Sequence, residues 1–379
     1  MEEKLTFDEL YEAYNLCLKN KKRKIGTYKF VNEFLCENLI KVLNELNNRK
    51  YAPQPSNCYV ITEPALREIY AAQFADRIVQ HFYMKEIENI LDTELVDECC
   101  SCRKGKGNDY ALKLLRSYLE ETSNNGTQDC FFLKIDLSGY FMSINRQQVS
   151  NKFLKLIQEK YEGKHKELLI YLTPIIFENN PAVNCLYKCN ENIRKIVPDR
   201  RKMNPKSNYG MAIGNLTSQA GSNLNLNEFD NYVVKELKLN KYVRYVDDIV
   251  IISNNKKELI DALPRMIEKL KETNQTVNKR KTKIDTAYHG VQFLGKVSYP
   301  YGYQKAKKTT VIRTYFKAKN IIYADIDELL AKANSQIGTL KGYNCRKIIL
   351  NYADILQTKT QDLIYFNNEE LKFTSKVNK

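Results

Sequence analysis

Asp247 and Asp248 stand side by side between two apolar runs, Tyr242-Val243-Arg244-Tyr245-Val246 and Ile249-Val250-Ile251-Ile252. Val, Ile and Tyr favour strands, so the pair is expected at the tight turn of a β-hairpin. An isolated Asp-Asp is more often a solvated bend. Here both flanks are apolar, so the turn projects from a buried hairpin and its adjacent charges need a counter-charge. A divalent cation fits: Mg2+ takes hard oxygen ligands from one or two carboxylates and shares its other positions with substrate phosphates. A third carboxylate at the end of another apolar strand would complete such a site. Asp136 supplies it, closing the run Cys130-Phe131-Phe132-Leu133-Lys134-Ile135, 111 residues before Asp247. That separation is too long for one hairpin and suits two strands of one sheet with helices between them. Three acids at a sheet rim can hold two metal ions, which activate a hydroxyl nucleophile and stabilise a departing pyrophosphate. The expected chemistry is that of a polymerase.

The elements that must position these acids follow from pattern. Phe7, Leu10, Tyr11 and Tyr14 form one apolar stripe, with Asp8 and Glu9 in the opening turn. Phe30, Phe34, Leu35, Leu39, Val42, Leu43 and Leu46 form a second, and both read as amphipathic helices. Between them the basic stretch Lys19 to Lys24 is a solvated turn or a phosphate contact. From Cys58 to Val79 the pattern turns to strands, Tyr59-Val60-Ile61 and Arg67-Glu68-Ile69-Tyr70. His81, on an otherwise apolar helix, is expected to be a satisfied core or capping residue. Cys102-Arg103-Lys104-Gly105-Lys106-Gly107 is a basic loop without the Gly-Lys-Ser/Thr ending of a nucleotide P-loop. It is expected to touch a template backbone through Arg103, Lys104 and Lys106. Ser143 or Asn145 is placed to cap a helix from Arg146. Residues 178–209 are rich in Asn, Lys and Arg, a stretch long for a plain loop. Gly210 and Gly214 let the backbone approach a nucleotide closely. Ser218 is expected to cap the following helix, in which Leu226, Phe229, Val233 and Leu237 recur. Residues 256–274 read as an amphipathic helix, and 304–365 as helical and basic.

The chain has 379 residues, 43% of them hydrophobic, enough to bury a sizeable core as one multi-lobed unit or two to three subdomains. Sixty Lys and Arg against 45 Asp and Glu give a net charge of +15, which favours a polyanionic partner. An AT-rich genome that writes Lys and Asn freely accounts for part of the excess. Ten cysteines are scattered, and Cys99-Cys100-Ser101-Cys102 and Cys185 with Cys189 hint at zinc. The histidines are only His81, His165 and His289, so free thiols in a reducing cytosol are expected. The N-terminus lacks a secretory core, and no apolar run approaches the roughly 18 residues of a membrane span. A cytoplasmic protein without a membrane partner is expected.

Taken in order, the motifs resemble those of reverse transcriptases. Tyr245-Val246-Asp247-Asp248 is similar to their Tyr-x-Asp-Asp signature, and Asp136 with Phe141 five positions later is similar to their first palm motif. Ile213-Gly214-Asn215-Leu216-Thr217-Ser218-Gln219 resembles a segment of bacterial retroelement enzymes, particularly those of diversity-generating retroelements. The likeness covers roughly residues 5 to 350. It implies an α+β right-hand polymerase fold: an N-terminal helical extension over 1–55, fingers over 56–125, a palm over 126–300 with an insertion at about 178–209, and a helical thumb over 301–379. The metal set it implies is Asp136, Leu137, Asp247 and Asp248, holding two Mg2+ ions. Arg67 and Arg77 match fingers motifs, where Arg67 would hold the incoming triphosphate. Pro64-Ala65-Leu66 lacks the further basic residue that relatives place near the proline. Phe141 would exclude a 2′-hydroxyl, and Ile213, Gly214, Ser218 and Gln219 would line the nucleotide site. Lys281 matches the lysine that protonates the leaving pyrophosphate. Tyr245 would contact nucleic acid, as would Phe293, Leu294 and Gly295 of a primer-grip hairpin. Residues 337–344 are similar to the thumb helix of bacterial relatives.

The resemblance thus implies an RNA-directed DNA polymerase of a bacterial or phage-encoded retroelement. It would copy a structured non-coding RNA from a DNA or RNA primer with deoxynucleoside triphosphates. No RNase H, integrase, endonuclease or maturase module is expected within these residues, since each needs on the order of a hundred residues. A diversity-generating enzyme would copy with errors beside a small basic accessory protein. A defence-associated enzyme would copy a dedicated RNA during phage infection, and a homo-oligomer is compatible with either. A non-catalytic RNA-binding scaffold is the alternative of another class, but a scaffold has no reason to keep three costly carboxylates together. Ile213 stands where many reverse transcriptases carry Gln. It offers shape instead of hydrogen bonds and points to low fidelity.

Overall fold

The runs of Val, Ile, Phe and Tyr form strands. The computed structural model describes residues 4–19, 25–62, 65–341, 344–361 and 363–375. Its strands are β1 (Ser56–Ile61), β2 (Arg67–Ala71), β3 (Phe131–Asp136), β4 (Cys185–Tyr187), β5 (Tyr242–Tyr245), β6 (Asp248–Ser253), β7 (Lys283–Thr286), β8 (Val291–Phe293), β9 (Lys296–Ser298), β10 (Gln304–Ala306), β11 (Ile364–Asn367) and β12 (Lys372–Ser375). Asn20 to Lys24, Pro64 and Gly342-Tyr343, on which parts of the sequence reading fall, lie outside the described residues. One four-stranded sheet has the order β5-β6-β3-β7. The chain forms two compact units. The first comprises Met1–Ala111, Lys134–Ile249 and Ile260–Lys283, and the second Leu112–Leu133, Val250–Leu259 and Ile284–Lys379.

The first unit opens with a helix over Phe7–Leu18. Thr6 Oγ1 accepts the Glu9 N–H, and the Glu9 carboxylate accepts the Thr6 N–H, a reciprocal cap. Its buried residues Leu10, Ala13, Tyr14 and Cys17 pack on the helix Phe74–Glu94, where Tyr14 meets Phe74 edge-on at 6.2 Å. The second expected helix spans Ile25–Asn47 with a break at Phe34. β1 pairs antiparallel with β2, Tyr59 opposite Ile69, and parallel with β4, Cys58 opposite Tyr187. Residues 178–209 are therefore not a plain loop. They add β4 to this sheet and continue through a short helix, Glu191–Lys195, and a 3-10 turn, Asp199–Arg201. What draws them in is apolar: Cys185 and Ala182 pack on the cluster of Cys58, Tyr70, Met203 and Ala212.

Asn145, not Ser143, caps the helix Arg146–Lys160, accepting the Gln148 N–H at 3.1 Å. The helix after Gly214 corrects two expectations. It spans Leu216–Asn225, and Ser218 is buried inside it while Asn215 holds the cap position. It also stops short of Leu237, giving way to Asn227–Asn231 and a π-helical turn over Tyr232–Glu236. Small residues explain the deep seating of the first part. A β-carbon on Gly221 would lie 2.7 Å from Met211 Cε and 3.1 Å from Val149 Cγ1. Burial pushes the thiols of Cys58 and Cys100 up to about 12 and that of Cys99 up to about 11, and none of the ten cysteines is in a disulfide. Such thiols are inert packing groups.

In the second unit, β8, β9 and β10 form an antiparallel sheet. The link between β8 and β9 is Leu294 (φ +47°) and Gly295 (φ +80°), two left-handed residues as a tight hairpin turn requires. Helices Lys308–Lys319, Ile326–Gly338 and Arg346–Lys359 enclose a core of Leu329, Ile337, Ile349, Tyr352 and Leu356. The C-terminal region is not wholly helical. β11 and β12 pair antiparallel, and their alternate residues Ile364, Phe366 and Phe373 complete that core. No helix among the described residues is long and apolar enough to cross a membrane.

Candidate active site

β5 and β6 are adjacent strands linked by only Val246 and Asp247. Val246 has φ +59°, a left-handed conformation that a β-branched residue adopts at a cost of roughly 1–3 kcal/mol. Two bonds hold it there: its N–H donates to Ser101 Oγ at 3.2 Å, and its carbonyl accepts from Arg244 Nη1 at 3.2 Å. The turn sets Asp247 in the link and Asp248 at the first residue of β6. β3 delivers Asp136 at its last residue, beside β6 in the sheet order. The following N–H, of Leu137, donates to the Asp247 carbonyl at 3.4 Å. One sheet rim thus gathers the three acids.

Two ammonium groups meet them. Lys281 Nζ lies 3.0 and 3.2 Å from the two Asp136 carboxylate oxygens, and Asn278 Nδ2 reaches Oδ1 at 3.3 Å. Lys134 precedes Asp136 by two residues and so shares its strand face. Its Nζ is 2.9 Å from Asp248 Oδ1 but poorly aligned, and the hydrogen bond goes to Oδ2 at 3.2 Å. Oδ1 is left buried without a hydrogen bond. Burial, then the neighbouring Asp136 and Asp248, push the Asp247 carboxyl up to about 6. Burial also raises Asp248, against the pull of Lys134. Among the described residues no three Asp, Glu, His or Cys side chains converge closely enough to enclose a metal ion. The lysines hold two of the carboxylates instead. The donor set nevertheless suits a hard divalent cation: all oxygen, one buried acceptor unsatisfied, and one carboxylate whose ionisation calls for added positive charge.

Beneath the turn lies a network that sequence reasoning missed. Arg244 and Asp230 form a wholly buried ion pair. Arg244 Nε donates to Asp230 Oδ1 at 2.8 Å, and the Tyr242 hydroxyl donates to the same oxygen at 2.6 Å. Arg244 Nη2 also reaches the Asn223 carbonyl at 3.3 Å and Cys99 Sγ at 3.1 Å. Asn223 and Ser101 exchange two bonds, of 2.7 and 2.8 Å. Cys100 N–H donates to the Arg244 carbonyl and Arg244 N–H to the Glu98 carbonyl, so residues 98–101 edge β5. The cysteine cluster there is structural. The available signal was an arginine inside an apolar strand, which demands a buried acid.

A family model described as reverse transcriptase (RNA-dependent DNA polymerase) matches residues 63–297. The chain belongs to the reverse transcriptase family. Its mixed helix and sheet content is that of the polymerase fold. Among solved structures, the apo telomerase of Candida tropicalis is similar with TM-score 0.50 and 12% identity, over 81% of this chain and 57% of that one. A form of it truncated from the C-terminal domain gives 0.49 and 14%, over 68% and 56%. Telomerase of Candida albicans in complex with a TWJ fragment of telomeric RNA gives 0.44 and 12%, over 86% and 63%. The chain therefore spans about three fifths of the length of these structures. No curated protein matches the sequence.

The remaining predicted residues of this reverse transcriptase fall into groups. Arg67 is half-buried on β2, with Nε 3.4 Å from the Ala65 carbonyl, and Arg77 Nε is spent on the Ala72 carbonyl at 2.8 Å. Gly214 (φ +116°) docks on β2, where a β-carbon would meet Ile69 Cγ2 at 3.1 Å, and Asn215 Oδ1 accepts the Ala72 N–H at 3.3 Å. Ile213 and Gln219 are half-buried and Leu137 buried. Tyr140 is buried and donates its hydroxyl to the Ser222 carbonyl, leaving Phe141, edge-on at 5.6 Å, as the more open ring. Tyr245 is half-buried. Two expectations need correction. Arg103 is 4% exposed and bonded to Asp92 and to the Val96 and Cys99 carbonyls, so it shapes the loop and has no open face for a phosphate. Lys106 is tied to Asp97 at 3.0 Å, which leaves Lys104 as the exposed cation of that loop. Phe293, in the second unit, is 1% exposed and belongs to the core, unlike Leu294 and Gly295 in the turn beside it.

Proposed function

We propose that this reverse transcriptase is an active polymerase that extends a DNA or RNA primer on an RNA template. What supports the reading is the gathering of Asp136, Asp247 and Asp248 on one rim with cationic groups against them. Two Mg2+ ions held by these carboxylates and by Leu137 would supply hydroxyl activation and charge neutralisation at the departing pyrophosphate. The chain's own groups do the rest. Lys281, its side chain 63% exposed, is free to carry a proton from beside Asp136 to the leaving pyrophosphate. Asn278 orients Asp136, Arg67 with Arg77 orients the triphosphate, and Phe141 fills the space a 2′-hydroxyl would need. Asp136→Asn and Asp247→Asn should each lower primer extension by more than about 100-fold, because even residues behind metal ligands cost about 10–100-fold. RNA binding should persist. Extension within about tenfold of wild type would remove these acids from the chemistry.

We further place the chain with bacterial retroelement enzymes of the diversity-generating type, which copy their template with errors. Ile213 supports this reading: it precedes Gly214 against β2 and can read shape but no hydrogen bonds. Sequencing cDNA made by wild type and by Ile213→Gln on one RNA decides it, with fewer misincorporations expected from the variant. Equal error spectra would discard the reading. The structured insertion at 178–209 favours the second candidate, a defence-associated enzyme with a dedicated non-coding RNA.

A further inference from the structure

We infer that Arg200 and Arg201, carried by the insertion, bind the triphosphate of the incoming nucleotide beside Arg67. This rests on the polymerase reading above and adds residues that lie outside its motifs. A nucleoside triphosphate brings several negative charges to the end of β3, where Asp136 is already negative. Arg67 is one cation at the start of β2, and the residues before it, Ala65 and Leu66, are uncharged.

The insertion fills the gap. Its 3-10 turn, Asp199–Arg201, lies against the segment that follows Asp136. A β-carbon on Gly139 would stand 3.1 Å from the Arg200 carbonyl oxygen and 3.9 Å from Arg200 Cβ. Gly139 itself is left-handed at φ +63°, so this close approach needs a glycine. It lies three residues after Asp136 and two before Phe141. The other side of the turn touches β2's approach: Arg201 Nη1 donates to the Leu66 carbonyl at 3.3 Å. Arg67 and Arg201 thus each spend one N–H on neighbouring carbonyls, those of Ala65 and Leu66, out of five that a guanidinium offers.

The nearby acids are committed. Asp199 pairs with Lys202 at 3.5 Å. Glu68 is 4% exposed and accepts from the Tyr70 hydroxyl and the Met203 N–H, with Arg194 at 3.8 Å. Arg200 is exposed and, among the described residues, paired with no acid. The turn is also anchored: β4 pairs with β1 ahead of it, and the Met203 N–H is held by Glu68 behind it. Two anchored segments therefore set Arg200 against Gly139, between Asp136 and Phe141, and Arg201 beside the start of β2 that carries Arg67. Guanidinium forks match phosphate oxygens in pairs, and a polyphosphate is the anion that this position receives.

Steady-state primer extension at varied dATP tests this, with wild type, Arg200→Ala, Arg201→Ala and Arg200→Lys. KM for dATP should rise about tenfold in each alanine variant, with kcat within about twofold and the affinity for template–primer unchanged. Arg200→Lys should recover part of the loss. Unchanged KM would overturn the inference, as would a parallel loss of template–primer affinity, which would assign the arginines to the nucleic-acid backbone. If Arg201→Ala fails to fold, the exposed Arg200 decides alone. If wild type makes no product, the polymerase reading fails separately, and binding of fluorescent dATP against dAMP in Mg2+ still reads the site. A triphosphate preference lost in Arg200→Ala upholds it, and one retained in Arg200→Ala refutes it.

Discussion

Asp230→Ala should destabilise the protein by about 3–5 kcal/mol, the cost of leaving a buried guanidinium without its partner. Both side chains are fully buried. Asp230 accepts from Tyr242 at 2.6 Å and from Arg244 at 2.8, 3.0 and 2.5 Å, so no water replaces it readily. Arg244→Met should cost a similar amount. The double variant Asp230→Leu/Arg244→Met removes both charges, so it should fall well short of the summed losses, with a coupling of about 2–3 kcal/mol. It should not recover synthesis, because the Val246 carbonyl still lacks its donor and the strained turn bearing Asp247 loses a restraint. Urea unfolding followed by circular dichroism gives the stabilities, and primer extension gives the activity. An Asp230→Ala penalty below about 1 kcal/mol would refute the energetics. A double variant as active as wild type would refute the positioning.

Two further outcomes follow from single side chains. With Arg103 and Lys106 engaged within the protein, Lys104→Glu alone should lower the salt slope of RNA binding by about 0.7 if Lys104 contacts a phosphate, and an unchanged slope would make the loop a solvated surface. Burial pushes the Asp76 carboxyl from an ordinary 3.8 up to about 6, against the Tyr51 and Gln54 bonds it accepts. The folded protein then holds a proton between those values that the unfolded chain releases, so the contribution of Asp76 to stability is fullest below pH 3.8 and falls by up to about 3 kcal/mol as pH rises through 6. Asp76→Asn should flatten that part of the stability–pH profile, and an identical slope in both proteins would show Asp76 ionised throughout.

The acids were legible in sequence because strand pattern and charge placement conflict there. A carboxylate at the end of Phe131–Ile135, or between Tyr245 and Ile249, has no packing role, so chemistry was the economical account. The same conflict marked Gly214, whose left-handed backbone sits on Ile69. What stayed hidden depended on contacts distant in sequence. The two-residue spacing puts Lys134 on the strand face of Asp136, but nothing near it announces that it pairs with Asp248, 114 residues on. Arg103 looked like a phosphate ligand because its neighbours are basic, and only the packing against Asp92 and two carbonyls shows it spent. Phe293 misled for a related reason: a motif gives the hairpin, but which face of a three-residue strand is covered depends on the rest of the core.

The rim that carries the three acids is built so that each of its turns is pinned by a segment far away in sequence. The Asp247 turn is held from residues 98–101, through Cys100 N–H to the Arg244 carbonyl and Ser101 Oγ to the Val246 N–H. The end of β3 is held from residues 276–278: Ser138 N–H donates to the Thr276 carbonyl, and Asn278 N–H to the Asp136 carbonyl, both at 2.8 Å. The turn after it is packed by Arg200 against Gly139. Side chains then divide by role. Ser101, Asn223 and Arg244 answer for where Asp247 is, whereas Lys134 meets the charge of Asp248 and Lys281 that of Asp136. Placement is thus restrained by buried bonds, while the ammonium on Asp136 is exposed.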